Sequence, residues 1–181
     1  MQKEIRRDDI IGSRRFSNYF WAVFLCSGGI SFLLAGISSY FKINFLPFAD
    51  PKELAFIPQG LVMSFYGTLS IALAIYILGT LFWDIGSGYN EYNKVENLVK
   101  IVRKGFPGKN REILLTYPLT NIRAIGIKIS EGLNPKRSIY LCLKDERQIP
   151  LTPVQQPNSI SNLEEEAAEL AKFLDLKLEN L

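Results

Sequence analysis

The feature that most constrains the fold of this chain is a long stretch without a charged residue, which runs from Leu54 to Trp83. About twenty consecutive apolar residues make a helix long enough to cross the hydrocarbon core of a bilayer. Tyr66 and Trp83 lie towards the two ends of its most apolar part, where amphipathic aromatic rings favour the membrane–water interface. The sequence therefore predicts a transmembrane helix over about residues 61–83.

A second uncharged run precedes this one and has the same character. It extends from Phe16 to Phe41, and aromatic residues stand near both of its ends. We expect it to form a transmembrane helix over about residues 20–41. The connector between the two helices contains three prolines, which interrupt helical structure. Residues 16–84 are therefore predicted to be a hairpin of two membrane-spanning helices.

The distribution of positive charge predicts the orientation of this hairpin. Lysine and arginine are denser before the first helix and after the second than in the connector. The positive-inside rule then places both termini on the cytoplasmic face, or on the face equivalent to it in an organelle.

Small residues recur at four-residue spacing in both helices and predict how the helices pack. Small side chains at that spacing let two backbones approach closely in lipid. The alternative is that small residues are simply frequent in membrane helices. The predicted contact comprises Ser27, Ser31, Ala35 and Ser39 of the first helix and Gly60, Ser64 and Thr68 of the second.

Outside the hairpin, the chain changes to a strand-forming pattern. Residues 1–15 are a basic N-terminal segment, and residues 85–181 are long enough to form a domain with its own core. Short runs rich in Ile, Val, Leu and Tyr, separated by turn-forming residues, predict strands. These runs cover residues 89–92, 98–103, 112–117, 122–129, 138–144 and 148–152.

The last predicted element is an amphipathic helix over residues 161–175. Leu163, Ala167, Leu170 and Leu174 fall on one face of it at helical spacing. Six strands followed by one helix predict an α+β soluble domain, built as a small antiparallel barrel or sandwich with a C-terminal helix. This order of elements is similar to that of pleckstrin-homology-like domains, an analogy that carries no function by itself.

The composition argues against catalysis and against bound metals or cofactors. The chain has no histidine, which is the commonest general base and metal ligand. Cys26 and Cys142 are far apart in sequence and form no Cys-x-x-Cys pair, so we expect neither a zinc site nor a disulfide. A net charge of only +3 gives little reason to expect nucleic acid as a partner. We therefore expect no catalytic residues, no metal and no cofactor.

Two charged surfaces are candidates for binding a partner. A basic turn contains Phe106, Pro107, Gly108, Lys109, Asn110 and Arg111. An acidic face of the terminal helix contains Glu164, Glu165, Glu166 and Glu169. The turn has the charge to meet anionic lipid or an acidic partner, and the acidic face the charge to meet a basic partner. The simpler interpretation of both is a solvated surface.

Local sequence strings then indicate a family. The chain resembles the photosystem I assembly factor family, two-span thylakoid proteins of plastids and cyanobacteria. The matching strings run in family order over nearly the whole chain. They include Gly12-Ser13-Arg14-Arg15, Pro58-Gln59-Gly60, Met63-Ser64-Phe65-Tyr66-Gly67, Gly86-Ser87-Gly88-Tyr89, Gly105-Phe106-Pro107-Gly108-Lys109-Asn110-Arg111 and Ala167-Ala168-Glu169-Leu170-Ala171.

The resemblance implies a noncatalytic scaffold in the thylakoid membrane, with both termini stromal or cytoplasmic. Its partners would be newly made photosystem I subunits, the thylakoid lipid bilayer, and other assembly factors or further copies of itself. A plastid source is favoured over a cyanobacterial one by the frequent Ile, Lys and Asn. The alternative function is a lipid-headgroup-binding membrane module that acts through the basic turn.

Overall fold

The computed structural model describes residues 4–47, 49–130, 136–152 and 160–180. The chain divides into two compact units. One consists of Ser13–Ile85, and the other joins Met1–Gly12 to Gly86–Leu181.

The unit Ser13–Ile85 is a helical hairpin. Helix α1 spans Phe16–Phe41 and helix α2 spans Leu61–Trp83, each long and apolar enough to cross a membrane. Most of their large apolar side chains point outwards and are exposed within this unit, as Phe65 is at 63%. A helix in a soluble core would bury these side chains, whereas lipid solvates them without cost. Two long apolar helices in this part of the chain confirm the prediction from the sequence.

The two helices touch through glycines, which bring their backbones together. A Cβ atom added to Gly67 would lie 2.6 Å from the backbone nitrogen of Leu33 and 2.9 Å from the carbonyl oxygen of Gly29. A Cβ added to Gly36 would lie 2.6 Å from the carbonyl oxygen of Gly60. Both separations are shorter than van der Waals contact, so only hydrogen fits at these positions.

This contact differs in part from the predicted one. Ala35, Ser39 and Gly60 are buried, and the hydroxyl of the half-buried Ser64 donates to the carbonyl of Gly60. Three other predicted residues are exposed and lie outside the contact, and their hydroxyls donate to carbonyls of their own helices; these are Ser27, Ser31 and Thr68. Glycine, with no side chain, permits a closer approach than serine, and the contact therefore follows the glycines instead.

At the open end of the hairpin, the residues just before α1 form hydrogen bonds with the last turn of α2. The Ser13 hydroxyl donates to the carbonyl of Thr80 at 2.6 Å, and the Arg14 Nε donates to the carbonyl of Leu81 at 3.2 Å. The backbone N–H groups of Asp84 and Ile85 also donate to the carbonyls of Leu81 and Thr80, at 3.2 Å each, so the two side chains add a second donor to each carbonyl. Residues before α1 thereby hold the end of α2.

The other unit contains two four-stranded sheets. The first has the order β1-β2-β3-β4 and is antiparallel throughout. Its strands are β1 (Ile5–Ile10), β2 (Gly88–Asn93), β3 (Leu98–Lys104) and β4 (Glu112–Pro118).

The second sheet has the order β7-β6-β5-β8 and is antiparallel except for its last pair. Strand β8 runs parallel to β5, because helix α3 carries the chain back across the sheet before β8 begins. The elements are β5 (Ile122–Ser130), β6 (Lys136–Leu143), β7 (Gln148–Pro150), α3 (Ile160–Leu174) and β8 (Lys177–Asn180).

One hydrophobic core joins both sheets to α3. The sheets contribute side chains such as Tyr92, Val99 and Leu141, which are almost fully buried. Helix α3 contributes the face that its spacing predicts, and its four residues are all buried: Leu163, Ala167, Leu170 and Leu174. Burying one such leucine contributes about 1.5–3 kcal/mol to stability, which explains why an otherwise acidic helix is held here.

All six predicted strands are present in this unit, and two unpredicted strands are added. Strand β1 lies in the N-terminal segment, where the sequence shows only an excess of basic residues, and strand β8 follows α3, which the sequence predicts to be the last element. Four charged residues in succession conceal β1, since no alternation of apolar and polar residues marks it. Strand β8 has only four residues, too few to show a period.

Candidate functional site

The predicted basic turn is an exposed loop between β3 and β4. The backbone N–H of Gly105 donates to the carbonyl of Arg111 at 2.7 Å and closes the loop at its base. All six residues from Phe106 to Arg111 are exposed, and the Phe106 ring itself is 54% exposed. The loop therefore has an aromatic ring and two cationic side chains, those of Lys109 and Arg111, on its exposed surface.

The predicted acidic residues form the outer face of α3. Because Leu163, Ala167, Leu170, Ala171 and Leu174 turn into the core, the glutamates between them face outwards. All four predicted glutamates are exposed: Glu164, Glu165, Glu166 and Glu169. The structure therefore places both predicted surfaces where a partner can reach them.

The acidic face lies next to β1. The Glu169 Oε2 is 3.7 Å from Nη1 of Arg6, and the Arg6 Nε donates to the Asp8 carboxylate at 3.0 Å. Glu166 lines a cleft of about 450 Å³ in this unit. The cleft is lined by residues of β1, β2, β6 and α3, which include both apolar side chains and the charged side chains of Arg6, Asp8 and Arg137. Residues of the basic turn are not among its described lining.

A half-buried arginine, Arg103, connects the two sheets by hydrogen bonds. The Arg103 Nη2 donates to Asn90 Oδ1 at 2.9 Å and to the carbonyl of Leu151 at 3.0 Å. Its Nη1 donates to the carbonyl of Val102 at 2.8 Å. The Asn90 Nδ2 donates to the same Leu151 carbonyl at 3.1 Å. Burial lowers the pKa of Arg103, and these neutral oxygens take the place of the water that it loses.

The placement of the acidic and cysteine side chains among the described residues bears on metal binding and thiol chemistry. In the part of the chain that the structure describes, no group of three or more acidic or cysteine side chains is placed to hold a metal ion. The Cys142 thiol is buried, and burial raises its pKa, which lowers the fraction of reactive thiolate. Cys26 lies in α1.

The sequence alone does not single out Arg6, Asn90 or Arg103. Asn90 and Arg103 fall in the predicted strands 89–92 and 98–103, and nothing in those runs marks either side chain as a bridge between sheets. Only the strand register reveals them, because it sets Asp8 of β1 opposite Asn90 and Asn90 opposite Ile101, two residues from Arg103. No local sequence signal encodes such pairings.

Together these features define a class: a two-helix membrane hairpin attached to a β-sheet unit that carries charged surfaces. Comparison with known proteins places the chain more narrowly. The family model Ycf4 matches residues 3–172, and the chain belongs to that family.

The relatives match this chain over all or nearly all of their length. The chain is 99% identical over 181 residues, all of both chains, to the photosystem I assembly protein Ycf4 of Trieres chinensis. It is 77% identical over 181 residues, again all of both chains, to the protein of that name in Phaeodactylum tricornutum. A cyanobacterial relative of the same name, from Trichodesmium erythraeum, is 56% identical over 96% of this chain and 92% of its own length.

Proposed function

We propose that this chain is a noncatalytic scaffold for the assembly of photosystem I in the thylakoid membrane. The observation that carries the proposal is membership of the Ycf4 family, together with near-identity to a relative named as a photosystem I assembly protein. The two candidate membrane helices fit a protein that works where membrane subunits insert. A scaffold needs oriented surfaces and does not need nucleophiles or bases.

The proposed orientation has both termini on the stromal or cytoplasmic face. Strand β1 precedes the hairpin and pairs with β2, which follows the hairpin. The chain segments on either side of the hairpin therefore belong to one sheet, and one sheet lies on one side of a membrane. The positive-inside rule selects the stromal side. A plastid source, which the composition favours, stays a proposal, since relatives occur in a cyanobacterium as well.

The proposed binding surfaces are the acidic face of α3 and the basic turn Phe106–Arg111. Their exposure and their opposite charges support a role in holding stromal segments of newly made photosystem I subunits. Other assembly factors and further copies of the chain are additional candidate partners. The packing of α1 on α2 fixes the hairpin that anchors these surfaces.

A lipid-headgroup-binding module is the second candidate function. It is favoured by the exposure of Lys109 and Arg111 beside an exposed Phe106, because cationic and aromatic side chains together suit an anionic membrane surface. The proposed analogy with pleckstrin-homology-like domains is in keeping with this function and rests on element order alone.

The experiment that tests the scaffold is an affinity purification of the tagged full-length chain from gently solubilised thylakoids, followed by mass spectrometry. We expect newly made photosystem I subunits to co-purify. We expect less of them when the four glutamates are changed together: Glu164→Gln, Glu165→Gln, Glu166→Gln and Glu169→Gln. The matched control is Glu146→Gln, an exposed glutamate in another part of the same unit.

A charge reversal separates the two candidate functions. The double variant Lys109→Glu, Arg111→Glu is compared with the unchanged chain for co-purifying subunits and, with both chains held in nanodiscs of uncharged lipid, for binding to separate vesicles that contain anionic thylakoid lipid. Loss of subunits with vesicle binding intact supports the scaffold. Loss of vesicle binding with the subunits retained supports the lipid module, and normal photosystem I in a strain that lacks the protein contradicts the scaffold.

A further inference from the structure

The four edge strands of the two sheets differ in how they are protected from pairing with another strand. The edge of a sheet exposes backbone N–H and C=O groups that pair readily with another strand, and proteins protect edges with charges, proline or short length. Strand β1 has four charged residues out of six, β7 has three residues and ends in Pro150, and β8 carries Lys177 and Glu179. Each of these edges is protected in a recognised way.

Strand β4 is the exception. It has seven residues, and its glutamate and its proline stand only at the two ends, so the five residues between Glu112 and Pro118 carry neither a charge nor a proline. Three of these are large apolar residues that are exposed: Ile113 at 52%, Leu114 at 60% and Leu115 at 38%. A long, apolar, uncharged edge is the kind that native proteins avoid leaving open.

The exposed side chains lie on both faces of the strand. Leu115 pairs with Ile101, which is buried in the core, and Leu114 pairs with Val102, whose side chain points to the opposite face. A flat lipid surface covers one face of a strand edge. A partner strand covers both faces and also satisfies the backbone groups between them.

The charges beside β4 indicate what kind of partner strand would pair with it. The exposed Lys109 and Arg111 stand just before its first residue, the exposed Glu112, and these three charges give this end a net charge of +1 (two positive and one negative), whereas the residues after its last, Leu119 to Asn121, are uncharged. A second copy paired antiparallel through β4 would place this uncharged end beside the basic end. A second copy paired in parallel would place the two basic ends together. A segment with a carboxylate at one end meets the basic end directly.

We propose that β4 is a docking edge for an extended apolar segment of another protein, which adds as a fifth strand and carries acidic residues at the end beside Lys109 and Arg111. The inference rests on the proposed function in one respect, that this chain holds segments of other proteins. It adds the chemistry of the segment and the mode of binding.

The test uses the full-length chain in lipid nanodiscs and a fluorescent peptide of eight alternating Val and Thr residues followed by two Asp residues. We expect the peptide to bind, and to bind roughly tenfold more weakly when Lys replaces the two Asp residues. The variant Leu114→Lys introduces the protection that other edges have and abolishes binding. Val95→Lys is the matched control, since Val95 is a valine 64% exposed in the turn after β2.

Hydrogen exchange locates the peptide. Pairing protects the amides of β4 and leaves those of the edge strand β1 unchanged. Binding that persists in Leu114→Lys, protection at another site, or no binding overturns the inference. Formation of a disulfide-linked dimer by Leu114→Cys in the absence of peptide also overturns the inference, because it assigns the β4 edge to a second copy of this chain. No photosystem component enters this experiment, so its failure leaves the proposed function standing.

Discussion

At the residue scale, the two sheets are joined by the hydrogen bonds that the half-buried Arg103 donates to oxygen atoms of neighbouring segments. Arg103 has neutral partners, an amide and backbone carbonyls, which is unusual for a half-buried cation. A guanidinium group supplies several donors in a fixed plane, and this lets one side chain bridge β2 and the residue that follows β7. Arg103 therefore holds the two sheets at a fixed distance.

We predict that Arg103→Ala lowers the free energy of unfolding by about 2–3 kcal/mol, because it leaves Asn90 Oδ1 without its donor and the Leu151 carbonyl with only the Asn90 amide as a donor. Arg103→Lys recovers only part of this, since an ammonium group does not reproduce the planar fork. Thermal unfolding of the full-length variants in one detergent measures the difference. Lys109→Ala, in the exposed turn, is the control and leaves the midpoint unchanged.

A second prediction at this scale concerns alkaline pH. Tyr92 is 1% exposed, and burial is the main cause that raises its pKa above the ordinary value of 10.0. The folded state therefore binds the phenol proton more tightly than the unfolded state does. The resulting stability is complete below pH 10 and is lost as the pH rises further.

The variant Tyr92→Phe isolates this contribution. We expect its unfolding free energy to fall with pH less steeply than that of the unchanged chain above pH 10, by up to about 1.4 kcal/mol per pH unit. Denaturant titrations at a series of pH values measure both slopes. Tyr89→Phe is a suitable control because Tyr89 is on the opposite face of β2. Equal slopes for Tyr92→Phe and the unchanged chain would contradict the assignment.

At the scale of elements, the structure separates surfaces that a linear pattern cannot distinguish. Gly28 and Gly29 are neighbours in α1 with different surroundings. A Cβ on Gly28 would meet nothing within 4 Å, whereas a Cβ on Gly29 would lie 2.9 Å from Cγ1 of Ile71 in α2. A residue's position around the helix, and not its size alone, decides whether it belongs to the contact.

We predict that Gly67→Leu separates α1 from α2, because the leucine has no space beside the backbone of Leu33. The thermal midpoint of the full-length chain in detergent should fall by several degrees. Gly28→Leu makes the same change where the space is open and should leave the midpoint near that of the unchanged chain. A fall of equal size in both variants would show that helix propensity, and not packing, is responsible.

At the scale of the whole molecule, the sequence predicts more of the fold than of the surfaces. Long apolar runs and amphipathic periods report directly on burial, so both membrane helices, six strands and the buried face of α3 follow from them. Strand β1 does not, because its partner β2 is remote in sequence and pairing is a property of register. The Arg103 bridge and the open edge at β4 likewise depend on which strands become neighbours.

We predict that deleting residues 2–12 unfolds the first sheet from its β1 side. The deletion exposes Tyr92 and removes the side chain of Ile10, which is buried at 9% exposure, at a cost of about 3 kcal/mol. Hydrogen exchange at the amides of β2 measures this loss. Asp9→Asn changes an exposed carboxylate on the same strand and should leave β2 protected.

The pairing of β1 with β2 also constrains biogenesis. Ile5 pairs with Asn93, so the first strand to leave the ribosome waits for both helices to be synthesised before its partner exists. A nascent chain in which only one helix had been threaded through the bilayer would have β1 and β2 in different compartments, and the sheet would stay open. This sheet can therefore be completed only after the hairpin has been inserted correctly. Only a correctly inserted chain displays the surfaces that the complete sheet carries.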